Sequence, residues 1–150
     1  MDRIKDEILD SMCFQRCKKE RKDFIQFAID KITFISGDLT RENLGISEKD
    51  RTFLTENCDV IINSAASVNF DDPLQDALKI NFFGCMRMLQ LAKECKHLLT
   101  FTHVSTCYVN CDRDDFCGET IYTTSDDECD DIHNYVKNIM AMNPAEVKAK

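Results

Sequence analysis

Ser105 and Thr106 close an apolar run from Leu98 to Val104, which puts two hydroxyls at the end of a strand. A second such end is Ser64-Ala65-Ala66, which follows Asp59-Val60-Ile61-Ile62-Asn63. In open α/β sheets, ligands bind outside the carboxyl ends of the strands, so both stretches are candidate binding residues. Between them lies Asn81, the only polar member of the helical stripe Leu74, Leu78, Asn81, Cys85, Met88, Ala92. A buried amide without partners costs about 1–3 kcal/mol. Asn81 therefore either snorkels or is satisfied by a backbone carbonyl, or it orders water or backbone beside a site. Asp38, in Gly37-Asp38-Leu39, is by itself a turn-forming carboxylate. The seven Asp and two Glu of residues 111–131 read as hydrophilic surface rather than as a paired acid and base. His103, Cys107, Cys111 and Cys117 carry ligand chemistry. Structural zinc sites use tighter ligand pairs, however, and no metal site is expected.

The elements that must position these residues form one unit from Asp59 to Asn110. Three branched apolar residues in a row, Val60-Ile61-Ile62, suit a parallel strand covered on both faces. Asp72 is a good N-cap and Pro73 suits the first helical position, so a helix is expected over about 73–94. The second strand spans about 98–104. Two strands joined by a helix make a βαβ unit. Within the helix, Gly84 permits close backbone approach at about 1 kcal/mol of helix propensity. Asn81 is expected to be buried, on the face toward the sheet.

Upstream, residues 2–19 show a helical face of Ile4, Ile8 and Met12, and a short apolar group, Phe24, Phe27 and Ala28, follows. Lys31-Ile32-Thr33-Phe34-Ile35-Ser36 alternates and is expected to be a strand. Ser47-Glu48-Lys49-Asp50 resembles a capping box and should open a helix to about Glu56. Downstream, Asp130 or Asp131 is expected to cap a helix through Tyr135 to Met142, ended by Asn143-Pro144. The order α, β, α, β, α, β means an α/β fold with a parallel sheet of about three strands and flanking helices.

A length of 150 residues makes one domain the default. The net charge of −8 is concentrated in residues 111–150, which hold ten acids against four bases. Nucleic acid is excluded as a partner, because phosphate binding needs clustered Lys and Arg. The first twenty residues are charged throughout, so no secretory signal is expected, and no apolar run approaches a membrane span. The nine cysteines are odd in number and contain no Cys-x-x-Cys, which reads as reduced thiols in a cytoplasmic compartment.

Five stretches together carry a family resemblance. They are Gly37-Asp38-Leu39, Leu44-Gly45-Ile46-Ser47, Asn63-Ser64-Ala65-Ala66-Ser67-Val68-Asn69-Phe70, Asn81-Phe82-Phe83-Gly84 and His103-Val104-Ser105-Thr106-Cys107-Tyr108-Val109-Asn110. Residues 3 to about 125 resemble part of an alcohol-forming fatty acyl-CoA reductase, of the extended short-chain dehydrogenase/reductases. The resemblance implies a partial Rossmann-like NAD(P)-binding domain over 1–110. Residues 111–150 would be an acidic loop and C-terminal helix of the same domain. It implies that Asp38 meets the adenine edge of the dinucleotide, with Leu39 beside it, and that Ser64, Ala65 and Ala66 let the cofactor lie close to the backbone. It implies that Asn81 belongs to the active-site polar network and that Ser105 is the catalytic serine, with Thr106 its runner-up. NADPH is the implied cofactor and a long-chain fatty acyl-CoA the implied substrate, reduced to a primary alcohol.

Two of the family's parts are not found in these residues. The Gly-rich pyrophosphate turn, with the first two strands of the fold around it, should precede residue 1. A Tyr-x-x-x-Lys should follow the acidic region, but Tyr122 is followed four on by Asp126 and Tyr135 by Ile139. The Tyr is the family's proton donor, and without it general-acid catalysis has no carrier. The chain therefore looks like a piece of a reductase, cytoplasmic, with an organelle membrane surface as the second place for a complete parent. A non-catalytic scaffold or interaction module and a thioester-reductase domain are the alternatives. In the family's strand order 31–36 is third, 59–64 fourth and 98–104 fifth. With the first two absent, 31–36 is expected to move beside 59–64.

Overall fold

The computed structural model describes residues 3–111, 113, 116–120, 122 and 132–148. The chain divides into two units, residues 1–35 and 36–150. In the first, the helical pattern expected as one helix over 2–19 is broken. A wide turn, Ile4–Leu9, and a tight turn, Met12–Phe14, precede α1 at Gln15–Glu20, and α2 spans Phe24–Ile29. The break falls at Ser11, whose backbone is extended (φ −62°, ψ 161°) and whose hydroxyl lies 2.8 Å from the Cys13 sulfur. A serine that bonds locally competes with helix hydrogen bonds. After the break the Phe14 and Phe24 rings pack 5.4 Å apart.

The second unit is built around one long helix. It runs as α4, Leu74–Leu78, a π turn, Lys79–Gly84, and α5, Cys85–Glu94. Its start differs in detail from the expected one. Pro73 itself occupies the N-cap position, and its carbonyl accepts from the amides of Asp76 (2.8 Å) and Ala77 (3.0 Å). Asp72 instead turns back to bond Ser67 and Asn69. Half of the expected capping box is present: Ser47 Oγ accepts from the Asp50 amide at 3.1 Å and opens α3, Glu48–Asn57, while the Asp50 carboxylate accepts from the Ser47 hydroxyl at 2.6 Å. Arg51 on α3 bonds Glu94 at the end of α5 at 2.6 Å, and Lys96 bonds Glu56 at 2.6 Å, so α3 is tied to the far end of the long helix.

The sheet has two strands, β1 at Val60–Asn63 and β2 at Thr100–His103. They are parallel, with Val60 opposite Thr100 and Asn63 opposite His103. The expected three strands are therefore two. Residues 32–38 carry no regular structure, and the expected pairing of 31–36 with 59–64 is not formed. Alternation makes a segment extended, but only a neighbour makes it a strand, and the family's two intervening strands have no counterpart among the described residues. The expected cover on both faces of β1 is also corrected. Ile61 and Asn63 are buried, whereas Val60 and Ile62 are 49% and 67% exposed.

The core gathers Leu44, Ile61, Leu91 and Ala92 between helix and sheet, with Val136 and Ile139 buried on α6, Ile132–Ala141. Gln75 on α4 donates to the carbonyls of Ile139 (3.0 Å) and Met142 (2.8 Å), which satisfies the free C-terminal end of α6. The expected helix end at Asn143-Pro144 is also a beginning. Asn143 Oδ1 accepts from the Ala145 and Glu146 amides, both at 3.0 Å, and Glu146 returns a bond to the Asn143 amide at 2.9 Å. This reciprocal cap opens α7, Pro144–Lys148. The expected caps Asp130 and Asp131 lie outside the described residues. No helix among the described residues is long and apolar enough to cross a membrane.

Candidate functional site

The parallel register sets the site. Because Asn63 stands opposite His103, the loops that follow, 64–72 and 104–111, leave adjacent strand ends in the same direction. The Val104 amide donates to the Asn63 carbonyl at 2.9 Å and extends the ladder by one bond. Further out, the Phe70 and Tyr108 rings meet edge to face at 5.7 Å and join the two loops.

Ser64, Ala65 and Ala66 are exposed and lead into Ser67. Ser67 is where Asn81 acts. The Ser67 amide donates to Asn81 Oδ1 at 2.8 Å, and Asn81 Nδ2 donates to the Ser67 carbonyl at 3.1 Å. The expected burial of Asn81 is overturned: the residue is exposed. The reason lies in the π turn that contains it. An i→i+5 turn widens the helix locally, so a position inside it leaves the face that a 3.6-residue spacing assigns to it. The buried residues here are Gly84, which ends the turn, and Leu91 and Ala92 beyond it, of which Ala92 belongs to the expected stripe. Ser67 Oγ also donates to Asp72, whose other oxygen accepts from Asn69 Nδ2 at 2.7 Å. The loop is thus closed on itself as well as pinned to the helix.

One turn further along, the same helix holds the second loop. An added Cβ at Gly84 would lie 3.1 Å from Leu39 Cβ, so this glycine is what allows the Leu39 turn to seat on the helix. Arg87 Nη1 donates to the Leu39 carbonyl at 3.0 Å. The turn closes through Asp38, whose amide donates to the Leu44 carbonyl at 2.7 Å. Its carboxylate accepts from the Thr40 amide (2.9 Å) and hydroxyl (2.7 Å), and Arg41 Nε lies at 3.3 Å. The bonds from Thr40, then the Arg41 charge, hold the Asp38 carboxyl below its usual value. Asn43 and Leu44 adopt left-handed backbone, with φ of 51° and 61°. For a leucine this costs on the order of 1–2 kcal/mol, offset here by burial of its side chain. A shallow apolar cleft of about 200 Å³ opens beside this turn, between Leu39, Leu44, Met88 and Leu91.

Ser105 is exposed, and its hydroxyl has no hydrogen-bond partner among the described residues. The Thr106 hydroxyl is engaged: it accepts from the Tyr108 amide at 3.2 Å and caps the tight turn Cys107–Asn110. Of the two strand-end hydroxyls, Ser105 is the one with neither its donor nor its acceptor side engaged among the described residues, whereas Thr106 keeps its O–H donor. The structure therefore joins Ser64–Ser67 to Asn81, joins Asp38-Leu39 to the same helix at Gly84, and sets Ser105 on the adjacent strand end. No hydrogen bond among the described residues joins Ser105 to Asn81.

Three residues that the sequence did not single out take part. Buried Asn63 reaches His103 across the strands, Cys85 approaches the same ring, and Arg87 holds the Leu39 carbonyl. A polar residue closing an unbroken apolar strand was the available signal for Asn63. Among the described residues no three His, Cys, Asp or Glu side chains come together as metal ligands would. The Asp38 carboxylate is exposed at the rim of the apolar cleft, and the 64–66 loop carries only small side chains.

A family model described as "Male sterility protein", an NAD-binding domain, matches residues 1–145. Fatty acyl-CoA reductase 1 of Mus musculus is 37% identical over 108 residues, 72% of this chain and 20% of that protein. Fatty acyl-CoA reductase 2, chloroplastic, of Arabidopsis thaliana is 34% identical over 111 residues, 73% of this chain and 18% of that protein. Fatty acyl-CoA reductase wat of Drosophila melanogaster is 42% identical over 81 residues, 54% of this chain and 16% of that protein. The chain spans about a fifth of the length of the curated relatives it matches.

Proposed function

The chain belongs to the male sterility protein family of NAD-binding reductase domains, and on that footing we propose that it is the strand-end portion of a fatty acyl-CoA reductase. In the complete reaction a long-chain acyl thioester would be reduced to a primary alcohol, with NADPH as the cofactor. The single observation that carries this reading is the long helix holding both loops of a dinucleotide site at once, through Asn81–Ser67 and Gly84–Leu39.

Asp38 and Leu39 would take the adenine edge, and Ser64, Ala65 and Ala66 would lie along the cofactor. When bound, the reduced nicotinamide supplies hydride. The chain's own part is to hold the acyl carbonyl. Ser105 Oγ–H would donate to the carbonyl oxygen, where negative charge grows as hydride arrives, and such donors commonly contribute 10²–10³ in rate. Asn81 would act through the loop, fixing Ser67 and thereby the backbone at 64–66. Tyr122 lacks the lysine four residues on that the family's proton donor has; its hydroxyl accepts from the Gly118 amide at 2.7 Å and Arg113 lies 3.8 Å over its ring. With no Tyr-x-x-x-Lys in these residues, we propose that the chain by itself is catalytically silent, in a cytoplasmic setting consistent with free thiols.

Two assays test this. The purified 150-residue chain, given NADPH and a long-chain acyl-CoA, should leave the nicotinamide absorbance unchanged. A chimera of the mouse relative, with its matching segment replaced by this chain's residues, should form fatty alcohol. Turnover by the chain alone, or a folded chimera without alcohol formation, would refute the corresponding half of the reading.

A further inference from the structure

Asn63 is 4% exposed and sits one residue before the Ser64 loop. A buried amide needs partners, and its Nδ2 finds one in His103 Nδ1 at 3.1 Å. An amide nitrogen has no lone pair to offer, so the bond runs from Asn63 to an unprotonated Nδ1. The Cys85 sulfur lies 3.7 Å from the same nitrogen, and a thiol can only add a second donor there. The Asn63 contact therefore places the ring proton of neutral His103 on Nε2, and the Cys85 thiol fits that arrangement as a second donor. Three elements meet at this one atom: β1 through Asn63, β2 through His103, and the first residue of α5 through Cys85.

The position of this junction is what matters. The Ser64–Ser67 loop is fixed at its far end by Asn81 and at its near end by Asn63. Ser105, two residues after His103, has no side-chain anchor of its own among the described residues. Its place is set by the strand end that His103 holds. Backbone pairing alone fixes the strands along their length, but it leaves free how the helix stands over their ends.

We propose that His103 is a positioning residue: with its Nε2–H tautomer imposed by Asn63 and its Nδ1 also met by Cys85, it holds the Ser64–Ser67 loop, Ser105 and the long helix at one spacing. This rests on the reductase reading for its purpose, though not for its test.

The test is long-range proton–nitrogen correlation NMR on the full chain, with ¹⁵N-labelled histidine, at neutral pH. His103 should show an unprotonated Nδ1 and a protonated Nε2. Asn63→Asp replaces the donor with an acceptor and should move the proton to Nδ1. It should shift the backbone amides of Ser64–Ser67 and Ser105 while the amide protection of β1 and β2 stays as it was. Cys85→Ser and Cys85→Ala, which both leave the Asn63 donor in place, should preserve the tautomer, and Cys85→Ala should shift the amides at the start of α5. An Nδ1–H ring or an averaged tautomer in the unaltered chain would overturn the proposal. So would a uniform loss of strand protection in Asn63→Asp with no selective change at the loops, which is what a merely structural role gives. If Asn63→Asp does not fold, the unaltered chain and the Cys85 pair decide the matter. These signals do not depend on turnover, so a failed reductase assay leaves them legible.

Discussion

Asn81 and Ser67 exchange two hydrogen bonds, amide to side-chain oxygen at 2.8 Å and side-chain nitrogen to carbonyl at 3.1 Å. One side chain thereby stands in for a neighbouring strand, satisfying both backbone groups of a loop residue. Asn81→Ala should release the loop at a cost of about 1–2 kcal/mol, the net worth of two partly solvated bonds. Denaturation should show that loss, and hydrogen exchange at the Ser67 amide should accelerate more than exchange in β1. Equal protection of Ser67 in variant and parent would mean that the Ser67–Asp72–Asn69 turn holds the loop unaided.

Gly84 seats the Leu39 turn. Gly84→Ala gains about 1 kcal/mol of helix propensity but places a methyl 3.1 Å from Leu39 Cβ, an atom that moves only with its backbone. Overpacking of this kind costs about 1–3 kcal/mol, so the variant should be net destabilised by on the order of 1 kcal/mol. Amide shifts should concentrate at residues 38–46. A stabilised protein with those shifts unmoved would show that the turn does not rest on the helix.

The tie between α3 and the end of the long helix is electrostatic. Hydrogen bonding from Gln90, then Arg51, holds the Glu94 carboxyl below its ordinary value. A depressed folded value means stability that is present above the ordinary glutamate range and is lost as pH falls through the folded value. The Glu94 side chain is 37% exposed, so the contribution is screened and stays at about 1 kcal/mol or less. Glu94→Gln should lower stability at neutral pH and flatten the acid limb of the curve. An acid limb of unchanged slope would assign that limb to other carboxylates.

Much of this arrangement was legible in the residues, and the misses have physical causes. Pro73, the stripe from Leu74 and the run at 60–62 mark the helix and β1, because local periodicity decides them. Ser47 and Asp50 mark α3 for the same reason. Strand 31–36 was misread because alternation records an extended backbone and says nothing about a partner. Asn81 was misjudged because the stripe assumes 3.6 residues per turn, and the π turn at 79–84 does not obey it. The left-handed backbone at Leu44 left no mark, since nothing in a leucine announces φ of 61°. Asn143-Pro144-Ala145-Glu146 did carry a capping signature, hidden behind its other meaning as a helix end. At the site, the Asn63–His103 contact needs a strand register that no local pattern supplies.

Thr106 offers the sharpest contrast with Ser105, since its hydroxyl oxygen already accepts from the Tyr108 amide and caps the turn. In the mouse chimera, Thr106→Val should cost stability of about 1 kcal/mol, the usual worth of a hydroxyl cap, and leave the rate per folded enzyme within about twofold. A rate loss larger than that of a Ser105 variant would exchange the two roles.

The most direct measurement is the kcat of that chimera with Ser105→Ala, on a long-chain acyl-CoA with NADPH, beside the unaltered chimera. Loss of a hydroxyl that donates to the developing oxyanion should lower kcat by about 10²-fold or more, with a smaller effect on KM. An unchanged kcat in a folded variant would contradict the assignment of Ser105 as the group that holds the substrate carbonyl.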